Sequence, residues 1–425
     1  MTDHTAFVIV GQFLRDSIVR VMRFQLAVCS AFLSIVLSSV VERTSAAESA
    51  FLISPGLEGA VEFWKQIFTR YGTGEVVFFD PFDHGKIYSV LPIPEGDEAR
   101  SLIESERARI VADHGLSDED GRVRSQRGAK ERFLSGLKIS GRYLSRMQKM
   151  FRDEGLPVEL AYLPLVESSF NVHARSSAGA VGMWQFMPDT GKKFMRITDA
   201  VDERRDPMAS SRAAARLLKE NRRLLANWPL AITAYNHGTE GIFRAIETVG
   251  SADLVEIIQR YESPLFGFAS KNFYAEFLAA VEVAKNRDVY FPFLRPHQPL
   301  SLHEVEIKRS VPVHSLLKPA AISQRDFYEW NPALSPNTKV IPAGYRAKLP
   351  PGKVNGFAAA QRRLVEVPTV RKTALASQRS GAGHRSVIKR TARSKTPKRA
   401  VTRQAKPLSD SKRMAAAQGR TSLNP

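Results

Sequence analysis

Residues 155–191 read GLPVELAYLPLVESSFNVHARSSAGAVGMWQFMPDTG, and this stretch decides the fold prediction. Pro157 suits the first position of a helix, where its missing N–H leaves no hydrogen bond unmade. The next residues at helical intervals are Leu160, Leu163 and Glu167. The pattern therefore predicts a helix that carries Glu167 on its apolar face, near its end. We expect Pro164 to kink this helix at its last turn.

Glu167 is the candidate catalytic group of this stretch. A carboxyl group among Leu163, Val166 and Phe170 would be desolvated, which favours its neutral form and suits a general acid at neutral pH. Two plainer interpretations stay open, because acids near helix ends are common. The carboxyl group could face solvent, or it could pair with Arg175.

Two further segments could line a site beside Glu167. Small residues at 178–182 would let backbone approach a ligand closely, and the side chain of Gln185 can both donate and accept hydrogen bonds. The hydrophobic neighbours Trp184, Phe186 and Met187 are equally typical of a core. Farther along, WPLAITAYNHGTEG (228–241) places Tyr235 and Asn236 at a helix end beside a glycine turn.

Residues 156–250 resemble the catalytic domain of the lytic murein transglycosylases, the goose-lysozyme-like group, and particularly the membrane-associated D type. The order and spacing of three motifs carry the resemblance, and with the flanking stretches it covers about residues 55–350. In this family a small residue usually stands where this chain has His237. The three motifs are Glu167-Ser168, Gly182–Gln185 with Met187-Pro188 following, and Ala234–Asn236.

The resemblance implies a mainly α fold with a lysozyme-like catalytic domain at residues 151–290. A helical or mixed region at residues 48–150 would pack on that domain. The implied substrate is the glycan strand of peptidoglycan, with no cofactor and no metal. Glu167 would protonate the bridging oxygen between N-acetylmuramic acid and N-acetylglucosamine, and its carboxylate would then take the proton of the C6 hydroxyl. That hydroxyl would close on C1 to give a 1,6-anhydromuramoyl end.

By the same resemblance, the substrate-binding residues would be Ser168, Ser176, Gln185, Met187, Tyr235 and Asn236. Ser176 would orient the N-acetyl group or Glu167, and Tyr235 is the best candidate to hydrogen-bond the Glu167 carboxyl group. Glycosidases that use water need a second carboxylate, and the motif region offers no obvious one. Two alternatives stay open: a hydrolytic muramidase with a second acid from outside the motifs, and a non-catalytic wall-binding protein.

Helix and strand signals also flank the motifs. Residues 57–71 and 128–150 predict helices, whereas EVVFFDPFDHGKIYSVL (75–91) mixes β-branched and aromatic residues with turn signals. Asp206-Pro207 predicts a helix start, followed by an amphipathic helix with a solvated basic face. Three prolines within residues 290–304 predict a break in the chain.

After that break, residues 305–352 faintly resemble a LysM module, a small α+β unit of βααβ order that binds N-acetylglucosamine polymers. Asn331-Pro332 and Ile341–Gly344 carry this likeness. The usual Gly-Asp-Thr is missing at the start, where Ser310–Pro312 stand instead. The unit could bind glycan, or it could be a degenerate packing unit.

The amino terminus predicts export. Residues 24–41 are uncharged, arginines precede them, and small residues follow near Ala46-Ala47. This is the layout of a signal peptide within residues 1–47, although an uncleaved membrane anchor stays open. Both place the chain in the periplasm or cell envelope. The single Cys excludes a disulfide scaffold and a Cys-rich metal site.

The charge is concentrated at the carboxyl terminus. The chain has a net charge of +19, of which residues 371–425 supply 15 basic residues and one acid. This composition predicts a disordered basic tail. The tail could be an inert solvated segment, or it could bind anionic envelope polymers or a membrane surface. We do not expect a nucleic acid partner, because an exported chain would not meet the chromosome and the tail lacks interleaved aromatic residues.

Overall fold

The computed structural model describes residues 51–96 and 98–366. The predicted signal peptide or anchor and the predicted basic tail lie outside these residues. Among the helices that are described, none is both long and apolar enough to cross a membrane.

The described chain begins with a helix and a small sheet. Helix α1 is followed by the hairpin of β1 and β2, by helix α2 and by β3, and the sheet has the order β2-β1-β3 with antiparallel pairing. Val77 of the central strand lies opposite Val90 and Gln126. The bounds are α1 Glu58–Thr69, β1 Glu75–Asp80, β2 Asp83–Pro92, α2 Glu98–Asp113 and β3 Arg124–Arg127.

Helices then dominate the chain up to residue 290, as the sequence predicts. The bounds are α3 Lys130–Ser140, α4 Leu144–Asp153, α5 Leu163–Ser168, α6 Pro188–Lys192, α7 Pro207–Leu225, α8 Trp228–His237, α9 Thr239–Val249, α10 Leu254–Arg260, α11 Phe268–Lys285 and α12 Arg287–Tyr290. Helix α11 runs through the centre and packs against α1, α5 and α8. The prediction of a mainly α fold is confirmed.

The helix predicted from Pro157 is wrong in its bounds. A 3-10 turn spans Val158–Tyr162, and a separate α-helix begins at Leu163. Pro164 therefore lies in the first turn of α5, where a helix needs no N–H, and does not kink a last turn.

The region before residue 150 is hydrogen-bonded to α11. The Asn272 side-chain oxygen lies 3.0 Å from Trp64 Nε1 of α1 and 3.0 Å from His84 Nε2 of the hairpin.

Gly141 separates α3 from α4. A Cβ atom there would lie 2.3 Å from the backbone oxygen of His297, so the close approach of two chain segments requires glycine.

Helix α7 confirms the predicted start. The Asp206 side chain accepts hydrogen bonds from the backbone N–H groups of Met208 and Ala209, and Pro207 is the first helical residue. The buried face of the helix includes Ala214 and Leu218, while its arginines lie mostly on the exposed side.

The extended segment at residues 291–302 leads into a carboxyl-terminal unit with its own core. Strand β4 pairs with β7, β5 pairs with β6, and two helices lie between, so the order includes β-α-α-β. The LysM likeness itself stays a prediction. The bounds are β4 His303–Glu306, β5 Val311–Pro312, α13 Val313–Leu317, α14 Gln324–Trp330, β6 Val340–Ile341, β7 Arg346–Leu349 and α15 Pro351–Glu366.

This unit lies directly on the helical part. Val201 forms a β-bridge with Leu334, and the Asp202 N–H donates to the Ala333 carbonyl at 2.8 Å. Lys348 forms an ion pair with Asp206, the residue that caps α7. The start of α7 is thus held by both parts of the molecule.

Candidate active site

Glu167 lies in the last turn of α5, at a sharp change of chain direction. Just past the end of this helix, Ser169 and Phe170 both have left-handed backbone angles, with φ of 52° and 60°. Such angles cost non-glycine residues roughly 1 kcal/mol or more each. The fully buried Phe170 ring anchors this turn in the core and so helps to hold the Glu167 side chain in place.

The Glu167 carboxyl group is half-buried and unpaired. Within residues 51–366 it has no ion pair and accepts no hydrogen bond, and Arg175 is exposed and does not reach it. Burial raises the pKa of Glu167 from 4.5 to about 8, and the carboxyl group of Glu276 raises it further within that shift. Glu167 therefore keeps its proton at neutral pH, as a general acid requires.

The segment 175–187 folds into a tight loop beside Glu167. The Ser168 hydroxyl donates to the Met183 carbonyl at 2.9 Å, which ties the end of α5 to the loop. Val181 forms β-bridges with both Arg175 and Phe186. The loop is thus closed on itself and fixed to α5.

A buried arginine holds the loop from inside. The Arg204 guanidinium donates to the carbonyls of Gly179 and Phe186, each at 3.1 Å, and pairs with Asp202 at 2.8 Å. The backbone of Arg204 also contacts Gly182, where a Cβ atom would lie 2.0 Å from the Arg204 carbonyl oxygen. The sequence motifs do not reveal Arg204, because its contacts with the loop join residues 18 and 25 positions apart.

The other loop residues predicted to bind substrate lie on this framework. Gln185 has a left-handed φ of 46°, and its Nε2 donates to the Gly182 carbonyl at 2.7 Å, so its amide oxygen is oriented by that bond. The Ser176 hydroxyl accepts from the Ala180 N–H at 3.0 Å and retains its own hydrogen for donation. Met187 is half-buried at the start of α6.

Tyr235 joins α8 to the same loop, but not through the predicted bond. Its hydroxyl donates to the Trp184 carbonyl at 2.8 Å, and among the described residues it makes no hydrogen bond to Glu167. Burial raises the pKa of Tyr235, and the nearby charge of Glu167 raises it further. Trp184 itself is fully buried, with Nε1 donating to Ser211 at 2.9 Å, so the core interpretation of Trp184 is confirmed.

The end of α8 is fixed to α11 through Ser270. The Ser270 hydroxyl donates to the Asn236 side-chain oxygen at 3.0 Å and lies 3.2 Å from His237 Nδ1. The His237 ring stacks edge-on against Phe266 and fills the space above Gly241, where a Cβ atom would lie 2.4 Å from the ring. Burial lowers the pKa of His237 to about 4, and Arg244 contributes, so the ring is neutral at physiological pH.

The structure thus brings the three sequence motifs to one place. The hydroxyls of Ser168 and Tyr235 donate to successive carbonyls of the loop, those of Met183 and Trp184, and Glu167 immediately precedes Ser168 on α5. In the described part of the chain, no three side chains of His, Cys, Asp or Glu are grouped closely enough to hold a metal ion.

A second acid, which the sequence motifs do not reveal, acts on the pKa of Glu167. Glu276 is on α11, which packs against α5, and burial raises the pKa of Glu276 to about 8. Its only signal in the sequence is one carboxyl group inside the otherwise apolar run FYAEFLAAV (273–281). That signal gives no distance to Glu167, since 109 positions separate the two residues.

The region that carries this site is similar to proteins of known family. Residues 145–258 match the family described as the transglycosylase SLT domain. The chain is 37% identical over 108 residues to the membrane-bound lytic murein transglycosylase D of Escherichia coli strain K12, and equally to that of strain CFT073. The match covers 25% of this chain and 24% of each relative, so the chain spans about a quarter of the length of the curated relatives it matches. The helices and loop that carry Glu167 and Tyr235 therefore match the transglycosylase SLT domain, and the resemblance of this region to the lytic murein transglycosylases is confirmed.

Proposed function

We propose that this protein is a lytic transglycosylase of peptidoglycan, which cleaves the β-1,4 bond between N-acetylmuramic acid and N-acetylglucosamine without water. The observation that carries the proposal is the unpaired, half-buried Glu167 carboxyl group, whose pKa is raised to about 8, at the junction of the three motifs. The similarity to relatives named lytic murein transglycosylase supports the same substrate class.

A single carboxyl group can serve both steps of this reaction. Neutral Glu167 donates its proton to the bridging oxygen as the bond from that oxygen to C1 of the muramic acid breaks. The muramoyl N-acetyl group assists the departure. The Glu167 carboxylate then takes the proton of the C6 hydroxyl while O6 bonds to C1, which gives the 1,6-anhydromuramoyl end and returns Glu167 to its protonated form.

The surrounding residues would divide into two groups. The hydroxyls of Ser168 and Tyr235 donate to carbonyls of the loop. We therefore propose that these two residues hold the loop in place, in addition to any contact with the sugars. The second group is half-buried and would contact the sugars directly: Ser176 and Gln185 through polar atoms, and Met187 through its apolar side chain. Asn236 would line the site from α8.

A hydrolytic muramidase is the second candidate, and Glu276 is the observation that favours it. Hydrolysis needs a base or nucleophile besides the acid, and Glu276 is a second carboxyl group whose charge raises the pKa of Glu167. Its raised pKa, however, leaves Glu276 largely neutral at pH 7, which does not suit a base.

The mass of the product separates the two candidates. Purified sacculi are digested with the protein, and the released muropeptides are analysed by mass spectrometry, with the Glu167→Gln variant as control. Transglycosylation gives muropeptides lighter by one water than the hydrolysed products. Reducing muramoyl ends of full mass would contradict the proposal and support the muramidase.

We also propose a location in the cell envelope, either the periplasm or anchored to its membrane through residues 24–41. The basic residues 371–425 would bind anionic envelope polymers or the membrane surface, and residues 305–352 would add a LysM-like contact to the glycan. No cofactor and no metal are part of this proposal. A pull-down of the full chain on sacculi at low and high salt tests the basic segment, because exposed charges are screened by salt.

A further inference from the structure

A cleft lies along the seam between the helical part of the molecule and the carboxyl-terminal unit. It has a volume of about 370 Å³, within the range of roughly 300–1,000 Å³ that small-ligand sites span. Its walls include Arg196 and Arg212 from the helical part, and Tyr345 and Arg346 from the carboxyl-terminal unit. None of its lining residues belongs to the three motifs, so this cleft is not the candidate active site.

Hydrogen bonds hold the two walls of the cleft together. The Asp202 N–H donates to the Ala333 carbonyl at 2.8 Å, and the Ser335 N–H donates to the Ala200 carbonyl at 3.1 Å. The ion pair between Lys348 and the buried Asp206 also joins the two walls, and both of these residues line the cleft. The cleft is therefore formed before a ligand binds, which lowers the entropic cost of binding.

Two guanidinium groups of the cleft have no anionic partner. Across residues 51–96 and 98–366, the side chains of Arg196 and Arg212 form no ion pair and donate no hydrogen bond. The Nε atom of Arg196 is buried, and the central carbon of its guanidinium group lies 5.9 Å from the centre of the Tyr345 ring. The Arg212 side chain is exposed. Because a buried donor without an acceptor is unfavourable, Arg196 is suited to bind an anion that enters the cleft.

The other charges of the cleft limit how negative its ligand can be. Lys348 and Arg346 are each paired with an acid of the same lining. Glu203 also lines the cleft, and one of its carboxylate oxygens accepts from the Arg196 backbone N–H at 2.8 Å. The lining thus has four cations and three acids, an excess of one positive charge. This balance suits a single carboxylate, whereas the acids would repel a densely charged polyanion.

We propose that this cleft binds a free carboxylate of the peptide stems of peptidoglycan, with Arg196 and Arg212 as the residues that recognise it. This inference rests on the proposed function, which supplies the polymer, and it adds a contact with that polymer outside the catalytic site. The planar guanidinium group matches a carboxylate with two parallel N–H donors. Arg196 donates to the carboxylate from inside the cleft, and Arg212 donates from its exposed side.

Binding of a free stem peptide to the full chain tests the proposal. The parent protein carries Glu167→Gln, so that no turnover occurs, and a stem tetrapeptide without sugars is titrated into it by calorimetry. Arg196→Gln and Arg212→Gln are each added to this parent. We expect each to weaken binding about tenfold, because each removes a charge-assisted hydrogen bond to the carboxylate.

Arg216→Gln is the matched control. Arg216 lies one turn farther along α7 than Arg212 and is also exposed, but it does not line the cleft. Its substitution removes the same charge from the same helix and should leave the affinity for the peptide unchanged. Melting curves show that all the variants are folded, and Arg212→Gln removes no contact within the described chain.

Two further probes identify the chemistry of the ligand. A stem peptide with all its carboxyl groups amidated should not bind, and inorganic phosphate should bind more weakly than the unmodified peptide. Equal affinity for the amidated peptide would overturn the proposal, because the guanidinium groups would then have no carboxylate to recognise. Phosphate binding as tight as that of the peptide would also overturn it and would assign the cleft to free anions.

The arginine variants decide the location of the site. Unchanged affinity in Arg196→Gln and Arg212→Gln, or an equal loss in Arg216→Gln, would show that the peptide does not bind in this cleft. The proposed function fails on a different result, since it is tested by the mass of the products of wild type. Anhydro products without peptide binding would remove only the cleft, whereas peptide binding with hydrolysed products would remove only the transglycosylase reaction.

Discussion

At the residue scale, the chemistry depends on the burial of one carboxyl group. A group whose pKa is raised in the folded state contributes stability that is fully present below its unfolded value and is lost as pH rises through the folded value. For Glu167 this window runs from 4.5 to about 8. The protein should therefore become less stable through this range, because the folded chain must hold a charge where burial disfavours it.

The substitution Glu167→Gln should remove this loss of stability at high pH. We expect the variant to match wild type at about pH 4 and to exceed its free energy of unfolding at about pH 9 by up to about 5 kcal/mol. Urea unfolding at the two pH values is the measurement. Glu282→Gln serves as control and should show no such gain, since Glu282 is ion-paired with Lys65. Equal destabilisation of wild type and Glu167→Gln with rising pH would contradict the assignment of the raised pKa.

Tyr235→Phe tests the role of the α8 hydroxyl. The substitution removes the hydrogen bond to the Trp184 carbonyl and leaves that oxygen unpaired, which should cost about 1–3 kcal/mol of stability. Turnover should fall because the loop is held less firmly, while the high-pH limb of the rate profile should stay in place. A displaced limb at unchanged stability would instead point to a direct bond between Tyr235 and Glu167 during the reaction.

At the element scale, the loop 175–187 is shaped by close backbone contacts. Gly179 and Gly182 both have left-handed angles, with φ of 92° and 81°. The two glycines differ in the room available for a side chain. A Cβ atom at Gly179 would meet nothing within 4 Å, whereas at Gly182 it would lie 2.0 Å from the Arg204 carbonyl oxygen.

The two alanine variants therefore form a matched pair. Both should lose about 1 kcal/mol from backbone strain. Gly182→Ala should lose several kcal/mol more and most of the activity, because the loop must move away from Arg204. Thermal melts and rates on sacculi are compared for the two variants. Similar losses in both would mean that the contact with Arg204 does not shape the loop.

The sequence predicted the elements of the site better than their contacts. Helical spacing placed Glu167 on a buried face, and Asp206-Pro207 marked the start of α7 because capping and proline geometry are local properties. It misplaced the helix containing Pro164, since proline fits a first turn as well as a kink. Arg204 and Glu276 were missed, because tertiary packing brings them to the site across 18 to 109 positions.

At the scale of the whole molecule, the helical domain and the carboxyl-terminal unit share contacts at Val201 and Asp206. The basic residues 371–425 follow the described chain and contain few large apolar residues. Their deletion should leave the melting temperature nearly unchanged and weaken binding to sacculi, with less salt dependence in the binding that remains. Melting curves and salt-dependent pull-downs on both proteins are the measurement. A large drop in melting temperature would show that this segment packs on the body.

The central claim is that Glu167 alone transfers the proton in both steps. The most direct measurement is the rate at which 1,6-anhydromuropeptides are released from sacculi by wild type and by Glu167→Gln, with melting curves to show that both are folded. We expect a loss of on the order of 10²–10⁴-fold or more, because amide and carboxyl groups have the same shape but only the acid has a transferable proton. A folded Glu167→Gln variant that retained more than half of the wild-type rate would show that Glu167 is not the proton donor.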